Sequence, residues 1–273
     1  MEKIWKHRET PKHYFNYFYN EISKRMAGVK DEKYIVGFVN NFNPKKNKII
    51  VNLGIGPGRE LPWLVKLKNI SEIIGVDYSP AMLSFCKKQA EKYKKKITLI
   101  KDNFFTLKKL SKIVKKEKKP IIFICLLNTI GNFTEKKRIK ILKIFKRLMQ
   151  KQDRLILTVY KPIEKVRINI KRFPPHLRPV SKEDISKLYE IMICAVAGFF
   201  WDSAFTYYEG KMPQFGYNKR TRDLTVHVER KKIYISHRFT EKEIKELHKK
   251  ANLKIEKLIE GKLMFIVVSK NKK

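Results

Sequence analysis

The residues best placed to do chemistry begin where an apolar run ends in Val51-Asn52-Leu53-Gly54-Ile55-Gly56-Pro57-Gly58. Glycines at alternate positions let a turn of backbone approach a bound molecule at distances that side chains would forbid. Nineteen residues after Gly58, a second apolar run ends in Gly75-Val76-Asp77-Tyr78-Ser79-Pro80-Ala81-Met82-Leu83. A carboxylate at that place can accept hydrogen bonds from both hydroxyls of a ribose. A third run ends in Ile100-Lys101-Asp102-Asn103, with another acid at its tip. A glycine turn alone says little, because glycines also serve ordinary tight turns. Its spacing to the two acids is what suggests a nucleoside-shaped ligand.

Such groups converge only if the elements carrying them lie side by side. From residue 49 the chain alternates short β-rich runs with helical stretches, the pattern of parallel βαβ units. The expected strands are residues 49–53, 72–76, 97–101, 121–126 and 154–160, with helices at about 60–68, 80–93, 107–116 and 135–150. The last helix sets Ile139, Leu142, Phe145 and Leu148 on one face and Lys136, Lys140, Lys143 and Arg147 on the other, as expected of a helix packed on a sheet. Residues 1–45 read as helical and aromatic. Between 161 and 239 prolines break the rhythm, an aromatic stretch follows, and residues 224–230 and 232–237 alternate as two strands joined by a tight Arg-Lys turn. A helix at 240–251 and strands at 254–258 and 264–269 then close the pattern.

Composition narrows the class further. A chain of 273 residues with 43% hydrophobic and 12% aromatic content can bury a full core. The longest apolar run, residues 191–201, is too short to cross a bilayer, and the first fifteen residues lack the apolar stretch of a secretory signal. No membrane partner is expected. Cys86, Cys125 and Cys194 form no CxxC pair, and His7, His13, His176, His227, His237 and His248 have no ligand spacing, so neither metal nor disulfide is implied. A cytoplasmic location is the simplest expectation. The net charge of +37, from 63 Lys and Arg against 26 acids, fits either a polyanion partner or a lysine-rich coding bias. Lysines release counterions from a phosphate backbone, whereas specific nucleic-acid contacts lean on arginine.

The GxGxG turn, the V-D-x-S-x-x-M-L phrase at 76–83 and the acid after the third strand resemble the class I S-adenosylmethionine-dependent methyltransferase family. The resemblance covers about residues 48–160 and resumes at 240–270. It implies a Rossmann-like, doubly wound, seven-stranded and mostly parallel sheet, with an inserted helix and hairpin lid before the last helix and strands. By that resemblance, residues 1–45 form an N-terminal helical lid, 46–160 the cofactor-binding core, 161–239 an acceptor and lid region, and 240–273 the closing elements. The cofactor would be S-adenosyl-L-methionine. Gly54, Gly56 and Gly58 would line its methionine moiety, Asp77 would hold the ribose, and Asp102 would bond the adenine amine with Asn103 beside it. Tyr78, Met82 and Asn128 complete the expected cofactor set. Many members carry Asp or Glu two residues before the first glycine, where this chain has Asn52. An amide there offers no full charge to the cofactor's sulfonium or ammonium. A nicotinamide-type dinucleotide domain is the competing reading, but its third glycine would fall at Arg59.

The segment after the fourth strand, Cys125-Leu126-Leu127-Asn128-Thr129-Ile130-Gly131-Asn132-Phe133, faces the transferring methyl group in that family. It lacks the N/D-P-P-Y/F phrase of base-amine methyltransferases and any cysteine pair that attacks pyrimidine carbon. It resembles the G-S-T-I/L-G-N-F phrase of the histidine N-alpha-methyltransferases of ergothioneine synthesis, with Asn128 in place of Ser. Ile235-Ser236-His237-Arg238-Phe239-Thr240 is similar to their E-x-S-x-K-Y/F-T stretch, with Tyr234 in place of the acid. The function implied is methyl transfer to an amine of a small molecule by in-line displacement, where alignment of the reactants does most of the work. Asn132, Tyr160 and Ser236 are the candidate catalytic groups, and His237 a candidate base. Tyr14, Tyr17, Trp201, Tyr207 and Tyr208 are candidates for holding an ammonium by cation–π attraction or for plain core packing. The charge motivates an RNA- or ribosome-directed methyltransferase as the alternative. A catalytically silent binding module is the third possibility, and the oligomeric state stays open.

Overall fold

The computed structural model describes residues 30–162, 214–261 and 264–272. Its centre is a seven-stranded sheet in the order β3-β2-β1-β4-β5-β10-β9. The strands are β1 (Lys48–Leu53), β2 (Ile70–Asp77), β3 (Ile97–Lys101), β4 (Ile121–Cys125), β5 (Arg154–Tyr160), β9 (Leu253–Glu260) and β10 (Met264–Asn271). Neighbours from β3 across to β5 pair in parallel, whereas β10 runs antiparallel to both β5 and β9. This is the doubly wound, mostly parallel sheet expected from the sequence.

The two innermost strands, KIIVNL and IIFIC, are buried along their whole length. A strand covered on both faces needs a continuous apolar run rather than an alternating one. Successive side chains go to opposite faces, so Ile49, Val51 and Leu53 join one core and Ile50 the other. Helices α1 (Lys30–Asn41), α2 (Leu61–Leu64) and α3 (Pro80–Ala90) send Ile35, Val39, Leu61, Leu64 and Cys86 into the Ile50 core. The opposite core takes Leu110 and Val114 of α4 (Lys108–Val114), Ile141, Leu142 and Phe145 of α5 (Glu135–Leu148), and Ile244 and Leu247 of α6 (Glu241–Lys250). The lysines of α5 at 136, 140 and 143 face outward, as its periodicity predicts.

Helix starts are set by local chemistry. Pro80 opens α3, and the Ser79 hydroxyl accepts the Met82 amide at 3.2 Å. Thr240 and Glu243 form a reciprocal capping box at α6. Helix α2 is a single turn rather than the nine residues expected, with Asn69 in the left-handed region (φ 54°) just before β2.

Between β5 and α6 stands a separate three-stranded antiparallel sheet of β6 (Gln214–Asn218), β7 (Asp223–Val228) and β8 (Lys231–His237). Strand β6 escaped the sequence reading. The hairpin turn is Glu229-Arg230 rather than Arg-Lys, and both residues adopt positive φ (49° and 64°), the combination a two-residue turn of this hand requires. The N-terminal aromatics Tyr14 and Tyr17, the insertion aromatics Trp201, Tyr207 and Tyr208, and Cys194 lie outside the described residues.

Two buried polar groups make the fold testable. Asp153, fully buried, accepts the Ile121 amide at 2.8 Å and the Gln150 amide at 2.7 Å, joining the start of β4 to the end of α5. Asp153→Ala leaves both amides unpaired and should cost about 1–3 kcal/mol in urea unfolding. An unchanged midpoint would show that water replaces the carboxylate. His248 is buried, with Nδ1 on the Ile244 carbonyl at 2.8 Å and Nε2 unpartnered. Burial holds its imidazole down to about 4 from the usual 6.5, so the fold prefers the neutral ring. The unfolded chain takes up the proton first, and stability should therefore fall as pH drops from 6.5 toward 4 and level off below. Relative to a His248→Phe variant, the wild type should lose about 2 kcal/mol more between pH 7 and pH 4.5. Equal losses would remove His248 from the account.

Candidate functional site

The first βα turn leaves β1 through three glycines, all at positive φ (84°, 53° and 84° at Gly54, Gly56 and Gly58). They do different jobs. A Cβ on Gly54 would come within 2.8 Å of the Thr129 methyl, so this glycine lets the turn pass beside the segment after β4. A Cβ on Gly58 would meet Cys86 Sγ at 2.8 Å and Leu61 at 2.9 Å, so it serves the packing of the turn against α3 and α2. Beside Gly56 nothing lies within 4 Å. There a Cβ would meet nothing, so the turn presents bare backbone to open space.

Opposite that space stands Asp77 at the tip of β2. One oxygen of its carboxylate accepts the Gly56 amide at 3.0 Å and the other the Ser79 amide at 2.9 Å. Burial pushes its pKa up, and the amides of Ser79, Gly56 and Tyr78 pull it back. These amides fix the carboxylate without exhausting its lone pairs. The cavity around it has a volume of ≈ 210 Å³ and is lined by Gly54, Gly56, Asp77, Tyr78, Met82, Asn103 and Asn132 of the residues expected from sequence. Seven of the twelve expected groups thus converge on one cleft at the carboxyl ends of the strands, where open α/β sheets bind ligands. The wall also includes Arg59, Glu60, Phe104, Leu127, Thr129, Phe133 and Lys137, which the sequence reading did not single out.

The other five fall elsewhere, each for a physical reason. Gly58 packs, as described. Asp102 does not line the cavity. Its Oδ2 accepts the Lys109 and Leu110 amides at 2.8 and 3.0 Å, and its Oδ1 accepts the Asn103 amide at 2.8 Å, so its carboxylate caps the start of α4. Asn103 and Phe104 take the wall position instead. Asn128 is buried as a strut rather than lining the cleft. Its Nδ2 donates to Ser236 Oγ and to the His237 carbonyl, both at 3.0 Å, and its Oδ1 accepts the Tyr160 amide at 3.2 Å. Ser236 is therefore consumed by the same joint, at 2% exposure. The Tyr160 ring is covered by the Arg238 guanidinium, 4.4 Å from its centre. The two short phrases at 128–133 and 235–240 do meet in space, but as a scaffold.

That scaffold sets the cleft's rear wall. Leu127 and Asn128 both adopt left-handed backbone (φ 54° and 61°), which costs non-glycine residues energy and persists only where the surroundings impose it. Thr158 of β5 imposes it, its hydroxyl accepting the Leu127 amide at 2.6 Å and its carbonyl the Asn128 amide at 3.0 Å. Gly131 is required because a Cβ there would overlap the Asn128 amide. The result is a 3-10 turn, Thr129–Asn132, that carries Thr129 and Asn132 into the cleft.

His237 lies on a second cavity of ≈ 390 Å³ that shares no lining residue with the first. Its Nδ1 sits 2.8 Å from Asp223 and its Nε2 3.4 Å from Glu243, which Arg222 also engages. Both ring nitrogens are committed to carboxylates, so His237 is not the base of the first cleft. Cys125 and Cys86 are buried thiols pushed up to about 12 by desolvation, which makes them inert core residues. Among the described residues, no group of His, Cys, Asp and Glu could hold a metal ion, and no helix is long and apolar enough to cross a membrane.

Residues 50–152 match the family model described as a methyltransferase domain. No curated protein matches the sequence. Among solved structures, the CcbJ methyltransferase of Streptomyces caelestis aligns over 100% of both chains with a TM-score of 0.62 and 12% identity. An S-adenosylmethionine-dependent methyltransferase from Clostridium acetobutylicum aligns over 95% of this chain and all of its own, with TM-score 0.56 and 11% identity. Magnesium protoporphyrin IX methyltransferase of Synechocystis, solved with bound S-adenosylmethionine, aligns over 96% and 90% with TM-score 0.54 and 11% identity. At such identities the likeness is one of fold.

The division between ligand groups and struts makes opposite predictions for two variants. Asp77→Ala should remove adenosyl-ligand binding even in the folded fraction, at a stability cost of about 1–3 kcal/mol for the freed Gly56 and Ser79 amides. Asn128→Ala should lower stability by about 1–3 kcal/mol, because the Tyr160 amide loses its acceptor, while binding persists in the folded fraction. Calorimetry together with thermal unfolding distinguishes them, and the reverse pattern would contradict the assignment.

Proposed function

We propose that this S-adenosylmethionine-dependent methyltransferase, whose residues 50–152 match the methyltransferase-domain model, transfers a methyl group to an amine nitrogen of a small molecule. The observation that supports a cofactor of this shape is the Asp77 carboxylate, clamped by two amides beside the bare backbone of Gly56. The residues fit the group. Asp77 is free to receive paired ribose hydroxyls, and Gly54 and Gly56 offer backbone to the methionine portion. Tyr78, Met82, Asn103 and Phe104 wall the same cleft with the apolar and polar surface an adenine needs. When bound, the cofactor supplies a methyl group on a positively charged sulfur.

The chain's own share of the reaction is alignment and exclusion of water. Leu126, Leu127 and Phe133 give the cleft its apolar side, and Asn132 is the polar group of the 3-10 turn that reaches it. An amine must present a lone pair to react, so Asn132 serves by orienting a neutral amine through a hydrogen bond rather than by removing a proton. With Tyr160 and Ser236 held in the scaffold, Asn132 is the catalytic candidate that remains at the cleft. In this reading the acceptor pocket and lid fall to residues 1–45 and 161–239, most of which lie outside the described residues.

A second reading, methylation of RNA, is favoured by one feature. Lys137 lines the cleft, and Lys137 and Lys140 each place an ammonium 5.8 Å from the Phe105 ring beside it. Cations next to a half-buried aromatic ring at a cleft are among the parts of a single-strand binding edge.

Transfer of label from methyl-tritiated cofactor separates the two. Small-molecule amines should become labelled, with Asn132→Ala slowing transfer by at least tenfold while leaving S-adenosylhomocysteine binding within twofold. Label appearing only in RNA, together with RNA binding that weakens steeply between 50 and 200 mM salt, would replace the first reading by the second.

A further inference from the structure

The cleft holds a buried acid that the account so far leaves without a task. Glu60 is the last residue before α2, is 7% exposed, and lines the cavity beside Gly54 and Gly56. Desolvation pushes its carboxyl well above the usual range, and Glu32 of α1 adds to that push. Its nearest cation, Arg59, stands 3.9 Å away, the outer limit of an ion pair. Arg59 is shared with Glu32, whose carboxyl it also steadies. Glu60 therefore shares the Arg59 guanidinium with a second carboxylate.

Asn52 completes the picture. It stands at the end of β1, is 1% exposed, and occupies the place where the resembling family brings an acid. Its amide lies close enough to favour the ionised Glu60 carboxylate, yet its Nδ2 makes no hydrogen bond of ordinary geometry among the described residues. A buried donor left unpaired, next to a carboxylate whose charged form burial disfavours, is a costly arrangement unless a ligand completes it. A carboxylate in such a wall is complementary to a cation, and the amino-acid end of the cofactor carries an ammonium.

We propose that Glu60 receives the α-ammonium of the cofactor and that the Asn52 amide steadies the Glu60 carboxylate. The negative charge absent from the end of β1 is thereby restored from the first residue before α2. This rests on the cleft being the adenosyl site proposed above, and it assigns the amino-acid end of that site to a side chain from a different element. Asp77 and Glu60 then divide the ligand between them. The nucleoside belongs to Asp77 and the amino acid to Glu60.

The test is calorimetric binding of two ligands to the whole protein. S-adenosylhomocysteine carries the amino acid, whereas 5′-methylthioadenosine has the nucleoside and sulfur without it. Glu60→Gln should weaken S-adenosylhomocysteine by roughly tenfold or more, the range expected for losing one charge-assisted contact. Its 5′-methylthioadenosine affinity should stay within twofold, which also reports that the cleft is folded. Adding Asn52→Asp to Glu60→Gln should recover part of the lost S-adenosylhomocysteine affinity, since the acid returns to the family's position. Equal weakening of both ligands, or of neither, would overturn the assignment to Glu60. Wild-type protein that binds neither ligand would instead overturn the adenosyl site itself, and this assignment with it.

Discussion

The Asp77 carboxylate joins two turns that are far apart in sequence. By accepting amides from Gly56 and from Ser79, it fixes the glycine turn after β1 against the start of α3. Everything else in the cleft is placed relative to that joint. The parallel pairing of β1 with β2 brings the turns within reach, with Leu53 opposite Val76. The Val76 carbonyl then accepts the amides of Gly54 and Ile55, extending the strand pairing into the turn itself. Because the carboxylate is half-buried, its amide bonds are worth more than they would be in water, and it lines the cleft.

The opposite wall is built on the same plan with different parts. Thr158 and Asn128 hold the segment after β4 in a backbone conformation it would not choose alone, and Ser236 ties that segment to the three-stranded sheet. The strain at Leu127 and Asn128 is stabilised by hydrogen bonds from two other elements. Strand β8 is thereby coupled to the floor of the cleft through one asparagine. Strand β8 can thus influence the site although, among the described residues, it contributes no side chain to the cleft's lining.

Much of this was legible in the sequence. Continuous apolar runs located the parallel strands because burial on both faces demands them, and the glycine turn and Asp77 followed from their positions at strand ends. What spacing could not reveal is the direction in which a polar side chain turns. Asp102 sits at the expected strand tip but spends its oxygens on the Asn103 amide and the first amides of α4. Asn128 and Ser236 occupy a plausible catalytic phrase and bond to each other instead. Glu60 was the converse case, read as the first residue of a longer helix. It stands instead just before α2, where the glycine turn brings it to the cleft. Strand β6, with Gly216 at its centre, carries too weak a pattern to be seen without its partner β7.

The central claim is that the turn at 54–56, the tip of β2 and the wall at 103–104 form one adenosyl cleft. Backbone amide chemical shifts recorded while S-adenosylhomocysteine is titrated test it most directly. The largest changes should fall on Gly54, Gly56, Tyr78, Ser79 and Asn103, and should saturate together with one dissociation constant. Changes confined to Arg222, Asp223 and His237 around the second cavity, or no saturable change at all, would contradict it.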